Sequence, residues 1–360
     1  MRRLNHSFRV ILLIILCCYS CSIANKDEYI LPVFADSAYI QPKIIVGDTF
    51  IFSSGRVYGN KDMVVYNGMT DINENIYHTF DLNSGVYINS FGAIGRGPGE
   101  VLSLTGSVSW RDDNIFHRYD WASQLRWDFD LNKIGNPKEL LSSSDSTQFP
   151  WPPLLVDHYL FLNDSLSLIY NPSGRFYLYN DTVLVDSYAE YPNIDDSRSK
   201  INITRGYFAY LAMHGAHPNG SMFVVVPRSG LHMEIFEISD QSILKLKTTK
   251  RYIEPLYDVV ESERSKSLPY VSRKASFSGK NYYGAISLLC SDNSIYIEVA
   301  NKTLNVDTPN EIWRFDWSGN PIKRYLMNDR ISYWSPLPND SLAVGLMITD
   351  RGPVLVKFAL

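Results

Sequence analysis

The chain has 360 residues, of which 45% are hydrophobic, 20% charged and 13% aromatic, and its formal net charge is −4. That balance excludes a disordered chain, and without a basic excess it excludes nucleic acid as an expected partner. The length fits two ordinary domains or one large all-β domain.

At the amino end, Arg2 and Arg3 precede an apolar run from Phe8 to Cys18 broken only by Arg9, followed by Tyr19-Ser20-Cys21. A charged start, an apolar segment shorter than the roughly 20 residues of a membrane span, and a small residue before the cleavage point predict a signal peptide over residues 1–20. Cys21 with Ser20 before it resembles the lipobox of bacterial lipoproteins, although Cys18 and Tyr19 depart from the usual residues there. The resemblance implies acylation of the Cys21 thiol and attachment to a membrane through the lipid alone; ordinary secretion with cleavage nearby is the alternative. Residues 21–28 then read as a lipidated linker. Its Lys26-Asp27-Glu28 resembles the surface-export signal of Bacteroidota lipoproteins, and equally suits a solvated linker.

Three of the four cysteines, Cys17, Cys18 and Cys21, fall in this leader. Cys290 stands alone, so neither a disulfide framework nor a cysteine-histidine metal site has its second half. In Ile286-Ser-Leu-Leu-Cys290 it reads as a small buried hydrophobe.

From Lys43 onward, short β-branched and aromatic runs are separated by Asn, Asp, Gly and Ser, which predicts strands joined by tight turns. One pattern recurs: Ile76–Gly85, Gln124–Asn132, Arg175–Asp181, His232–Asp240 and Glu311–Gly319 each close a strand on an aromatic and turn into another strand. The anchors Phe80, Phe129 and Tyr179 are 49 and 50 residues apart, the length of a four-stranded propeller blade. Phe236 follows 57 later and Phe315 a further 79, which places an insertion over Arg251–Lys280. The last copy, Val354–Phe358, has two residues after it, so its blade needs an outer strand from elsewhere. Tyr29–Ile40 is expected to supply it and to close the ring. The expectation is an all-β, six-bladed propeller of four-stranded antiparallel blades over residues 29–360.

Gly95-Arg96-Gly97-Pro98-Gly99-Glu100, following the first hairpin, resembles the signature of the TolB-like six-bladed propeller lipoproteins of Bacteroidota. Ala189-Glu190-Tyr191-Pro192 and the strand from Tyr210 into His217-Pro218-Asn219-Gly220 are similar to segments of the same family. The resemblance implies fold and an outer-membrane location, periplasmic or surface-exposed, and brings no catalytic residues with it.

Function has to be argued from a site. The glycine loop lacks the Lys-Ser/Thr of a phosphate loop, and Glu100 stands where a dinucleotide fingerprint has its third glycine. Its glycines therefore read as permitting close backbone approach, with Arg96 and Glu100 either pairing to lock the loop or facing a ligand. His214 and His217 have the spacing of a metal pair, but on a strand such positions point to opposite faces. His217 before Pro218 reads as fixing a turn, and both remain weak ligand-binding candidates.

No Gly-x-Ser-x-Gly elbow is present. Asp112-Asp113 and Asp195-Asp196 read as turn carboxylates, and about two-thirds of Trp110, Trp121, Trp127, Trp151, Trp313, Trp317 and Trp334 as packing residues. The triplets at Asp36, Asp164, Asp181 and Asp340 resemble O-glycan acceptor sites of such bacteria and equally suit turns. No cofactor or metal is expected. The sequence therefore predicts a binding module for a glycan, peptide or envelope protein at one channel mouth. The alternative is a carbohydrate- or peptide-processing enzyme with a site gathered from several blades, and a scaffold with apolar blade rims is a third possibility.

Overall fold

The computed structural model describes most of residues 31–360. Left out are 1–30, 48–50, 52–54, 69–74, 98–99, 103–105, 111–113, 121–124, 134–145, 149–157, 164, 172–174, 191–211, 229, 254–257, 260–274, 277–283, 300–310 and 329–330. The expected signal peptide, the linker with Cys21, and Asp112, Asp113, Asp195, Asp196, Trp121, Trp151 and Tyr191-Pro192 lie outside the described residues.

The chain opens with β1 (Asp36–Ile40) and β2 (Lys43–Val46). Blade 1 is β3 (Arg56–Gly59), β4 (Met63–Asn67), β5 (Tyr77–Asp81) and β6 (Tyr87–Phe91). Blade 2 is β7 (Gly106–Trp110), β8 (Ile115–Asp120), β9 (Leu125–Asp130) and β10 (Ser146–Gln148). Blade 3 is β11 (His158–Phe161), β12 (Leu166–Asn171), β13 (Arg175–Asn180) and β14 (Val183–Tyr188). Blade 4 is β15 (Ala212–Ala216), β16 (Met222–Pro227), β17 (Leu231–Ile238) and β18 (Leu244–Ile253). A two-stranded ribbon, β19 (Asp258–Val259) and β20 (Ala275–Ser276), occupies the predicted insertion. Blade 5 is β21 (Ala285–Cys290), β22 (Ile295–Val299), β23 (Glu311–Phe315) and β24 (Pro321–Met327). Blade 6 is β25 (Ile331–Pro336), β26 (Leu342–Thr349) and β27 (Gly352–Ala359), with β2 as its fourth strand.

Each blade is an antiparallel meander, and the first strands touch from blade to blade: β7 with β11, β11 with β15, β15 with β21, β21 with β25, and β25 with β3. The first strand is therefore innermost, lining the channel. In such a meander the first and third connections lie at one end, here the turn end. The second connection and the crossover to the next blade lie at the other.

The recurring sequence pattern is the third strand of all six blades. Its anchors Phe80, Phe129, Tyr179, Phe236, Phe315 and Phe358 are all buried, packed in the cores between blades. Next to four of them the outer strand carries one extra residue, Ile88, Val185, Lys247 and Ile322. All four are exposed, so the bulge turns the outer strand while the aromatic stays in the core.

Ring closure differs from the expectation in one respect. Lys43–Val46, downstream of the expected segment, supplies the outer strand of blade 6, pairing with β27. Asp36–Ile40 instead pairs in parallel with β24 and extends blade 5 to five strands. Pro42 explains the division, because it lacks the donor needed to run both stretches as one strand. Ile40 and Val46 are each buried, in two different inter-blade cores.

Blades are also joined by buried charge. Arg175, in a left-handed conformation with φ 60°, donates to Glu234 of blade 4 and to the Glu190 carbonyl, with its guanidinium 4.8 Å from the Phe176 ring centre.

Candidate functional site

The side chains of an innermost strand are hemmed in by blades on both sides, so one that is exposed faces the channel or its mouths. Among the described innermost side chains three are exposed: Ile286 on β21, Tyr333 on β25 and Arg56 on β3. They lie on the consecutive blades 5, 6 and 1, near the start of each strand and therefore at the crossover end.

Local backbone irregularity puts two of them there. Ala285 pairs with Val299 and Ser287 with Glu298, so Ile286 is an extra residue outside the ladder. Ser332 pairs with Leu346 and Ser335 with Val344, leaving Tyr333 and Trp334 opposite Gly345 alone. Tyr333 has φ 46°, a conformation that a bulky side chain rarely takes and that costs about 1–3 kcal/mol. Tyr333 is 51% exposed and Ile286 47% exposed, while Trp334 is turned into the core. Gly345 makes room, since a Cβ there would come within 2.7 Å of Ile331 Cγ2 and 3.1 Å of Trp334 Cβ. The first-to-second ladders of blades 1 to 4 run without any such shift.

One buried carboxylate ties the two bulges together. Glu298 Oε2 accepts from Ser287 Oγ at 2.9 Å and from Trp334 Nε1 at 3.1 Å. Each donor directly follows a protruding residue, so Ile286 and Tyr333 are held at one height on neighbouring blades. Arg56 stands beside them. Gly59, three residues further along β3, lies against Leu337 and the Ser335 carbonyl, and β3 and β25 enter from the same end. Counting back three residues on β3, and four on β25 to allow for its extra residue, sets Arg56 level with Ile331, two residues before Tyr333.

A second constellation lies between blades 2 and 3. His117 Nδ1 donates to Asp128 Oδ1 at 2.5 Å, and Arg126 donates to the same carboxylate through Nε at 3.1 Å and Nη2 at 2.9 Å. Burial pushes the Asp128 carboxyl up, but the bonds from His117 and Arg126 outweigh it and hold it below the ordinary value. The His117 ring stacks on Phe161, with centres 5.1 Å apart. In register, Ser109 of β7 and Asp128 of β9 stand directly opposite His117 on either side.

The residues singled out in the sequence lie elsewhere. Glu100 belongs to its own loop: Oε2 accepts from the Gly97 amide at 2.6 Å, and a Cβ on Gly95 would fall 1.9 Å from that oxygen. Close approach is thus what Gly95 is needed for. Arg96 is exposed and makes no ion pair with Glu100. The stretch is the crossover from blade 1 to blade 2.

His214 and His217 diverge as the strand period requires. His214 packs on Tyr170 and Phe176 of blade 3, whereas His217 packs on Trp317 of blade 5 and accepts from the Asn219 amide at 3.2 Å. Burial pulls the His217 imidazole below its ordinary range, against a smaller opposing pull from Asp292. Among the described residues no three metal-binding side chains gather. Cys290 packs where a Cβ on Gly215 would meet its Sγ at 2.5 Å, and burial pushes its thiol well up. Of the five tryptophans described, Trp127, Trp313, Trp317 and Trp334 are buried.

Sequence reasoning missed Ile286, Tyr333 and Glu298. A glutamate inside the apolar run Ile295–Val299 was the one available signal, because it needs donors once buried.

A model of the TolB-like 6-blade propeller family matches residues 34–334. The chain belongs to that family. Among solved structures, a protein of Bacteroides fragilis described as exported is similar at 12% identity and a TM-score of 0.52, over 90% of this chain and 98% of that one. A member of the DUF4221 family from Bacteroides vulgatus is similar at 8% identity and a TM-score of 0.51, over 89% of this chain and 98% of that one. At these identities the likeness is one of fold. No curated protein matches the sequence.

Proposed function

We propose that this TolB-like propeller is a lipid-anchored binding module of the cell envelope that takes its ligand at the crossover mouth of the channel, on the arc Ile286, Tyr333 and Arg56. The observation that carries this reading is Tyr333, a half-exposed aromatic residue held at φ 46° on a bulge. Strain of that kind collects at ligand sites, and a half-exposed tyrosine offers its face to a ligand.

The leader and Cys21, together with a similar Bacteroides protein described as exported, support the envelope. Phe34 packs on Trp313 and Phe315, near the turn end of blade 5. A dozen residues separate it from Cys21, a reach of about 40 Å. A lipid tether joined there leaves the crossover mouth free for ligand, in the periplasm or at the surface.

The test is a screen of glycan and peptide arrays with the mature protein and its Tyr333→Ala form. A ligand retained by the first and lost by the second, at unchanged melting temperature, is the expected result; equal binding by both forms sinks the reading.

The His117–Asp128 pair favours a second reading, a carbohydrate- or peptide-processing enzyme. In that case the mature protein hydrolyses fluorogenic peptides or glycosides and the His117→Ala form does not. A wild type inactive on both classes, or a His117→Ala form as active as the wild type, sinks this second reading.

A further inference from the structure

We propose that the arc binds the carboxyl end of an extended peptide whose last side chain is apolar; this deepens the channel-mouth reading and rests on it. Three features of the arc select that chemistry.

The first is charge. Arg56 is exposed, and among the described residues no carboxylate pairs with it. Its polar neighbour is the Tyr58 phenol, which burial keeps protonated and which therefore brings no compensating charge to the guanidinium. A planar fork of N–H donors is matched by a carboxylate, which it grips with two parallel hydrogen bonds.

The second is apolar surface beside the charge. Ile286 and Tyr333 form an aliphatic and aromatic pair at one height, with Arg56 on the next blade at the same mouth. An aliphatic side chain or a phenyl ring covers both, whereas a sugar ring would stack on Tyr333 and set its hydroxyls against Ile286 without partners.

The third is backbone. Ile286 is outside the β21–β22 ladder and Tyr333 lies in the shift of the β25–β26 ladder, so their N–H and C=O groups are not committed to regular pairing. These groups and the channel edges of β21 and β25 suit a peptide main chain, as strand edges do in other peptide-binding folds. A fatty acid has the carboxylate and the apolar body but nothing to pair with that backbone.

The experiment uses fluorescence anisotropy on the mature chain with labelled hexapeptides ending in Leu, Val or Phe, each as free acid and as amide. The expected result is free-acid binding roughly ten-fold tighter than amide binding, as for a charge-assisted contact. Arg56→Gln should abolish that difference while retaining the amide affinity, and Tyr333→Ala should weaken both forms.

Equal affinity for acid and amide overturns the inference, while dependence on Tyr333 in that case preserves the channel site. Binding of a saccharide through Tyr333 with no peptide bound also overturns it and leaves the site standing. If no ligand of either class depends on Tyr333, both readings fall. A melting temperature within about 2 °C of the parent, as expected for a surface change, shows that each variant is folded.

Discussion

At the turn end of this propeller the first-to-second connections are three to five residues long, whereas at the other end the crossovers run from 3 to 31. The turn end is closed by local hydrogen bonds. Asn163, Asn219 and Asn339 each accept from the amide and the hydroxyl of a serine two residues on. Neighbouring turns touch: the Tyr296 hydroxyl, beside the blade 5 turn, donates to Asp340 of the blade 6 turn at 2.8 Å, and a Cβ on Gly220 would meet the Leu162 carbonyl at 2.2 Å. The crossover end instead holds the two bulges, the strained tyrosine and the exposed arc. One end is built of short turns that bond to themselves and the other holds the longer connections and the exposed arc, which is the division expected between scaffold and binding face.

Mutations should therefore sort by end. Phe315→Ala, which empties an inter-blade core at the turn end, should cost about 4 kcal/mol in urea denaturation and leave any remaining folded protein competent to bind. Gly220→Ala, at φ 74° against a backbone oxygen, should cost about 3 kcal/mol from strain and clash. A smaller effect is expected from acid. The lowered values of His78 and His217, both caused first by burial, mean that the unfolded chain binds more protons than the folded one. Stability is then complete above the ordinary histidine value of 6.5 and declines as pH falls through it; melting curves that are flat between pH 7.5 and 5 would contradict this.

The smallest change has the opposite sign. Tyr333→Gly should stabilise the protein by about 1 kcal/mol, because glycine accepts the left-handed backbone, while removing ligand binding. A destabilised Tyr333→Gly would mean that the ring is held by packing, and the contrast between the ends would fail.

How much of this was legible follows from the kind of mark each feature leaves in a sequence. The third-strand repeat was visible because a buried aromatic followed by Asp, Asn or Gly is required in each blade by core and turn together. Asp316 shows it: its Oδ1 accepts from the Ser318 and Asn320 amides directly after Phe315. The Asp-Ser pairs at Asp164 and Asp340 are plain in the sequence, but the Asn-x-Ser turn they share with Asn219 emerges only from the bonds that each Asn accepts.

The exchange between β1 and β2 was hidden because both stretches are apolar and β-prone, and Pro42 is a weak boundary mark. The bulges at Ile286 and Tyr333 left no mark at all, since an extra residue in one strand changes register without changing composition. Gly345 and Glu298 record them only once the pairing is known.

The ring is closed by β2, a strand among the first residues of the described chain, which pairs with a strand made of the last residues. Synthesis order and assembly order are thus opposed. Blades 5 and 6 cannot both be completed until β27 has been made, so the amino-terminal strands must wait, unpaired, through the making of all the blades between. Ring closure is thus the joining of strands from the two ends of the described chain, and it follows the making of every blade between them.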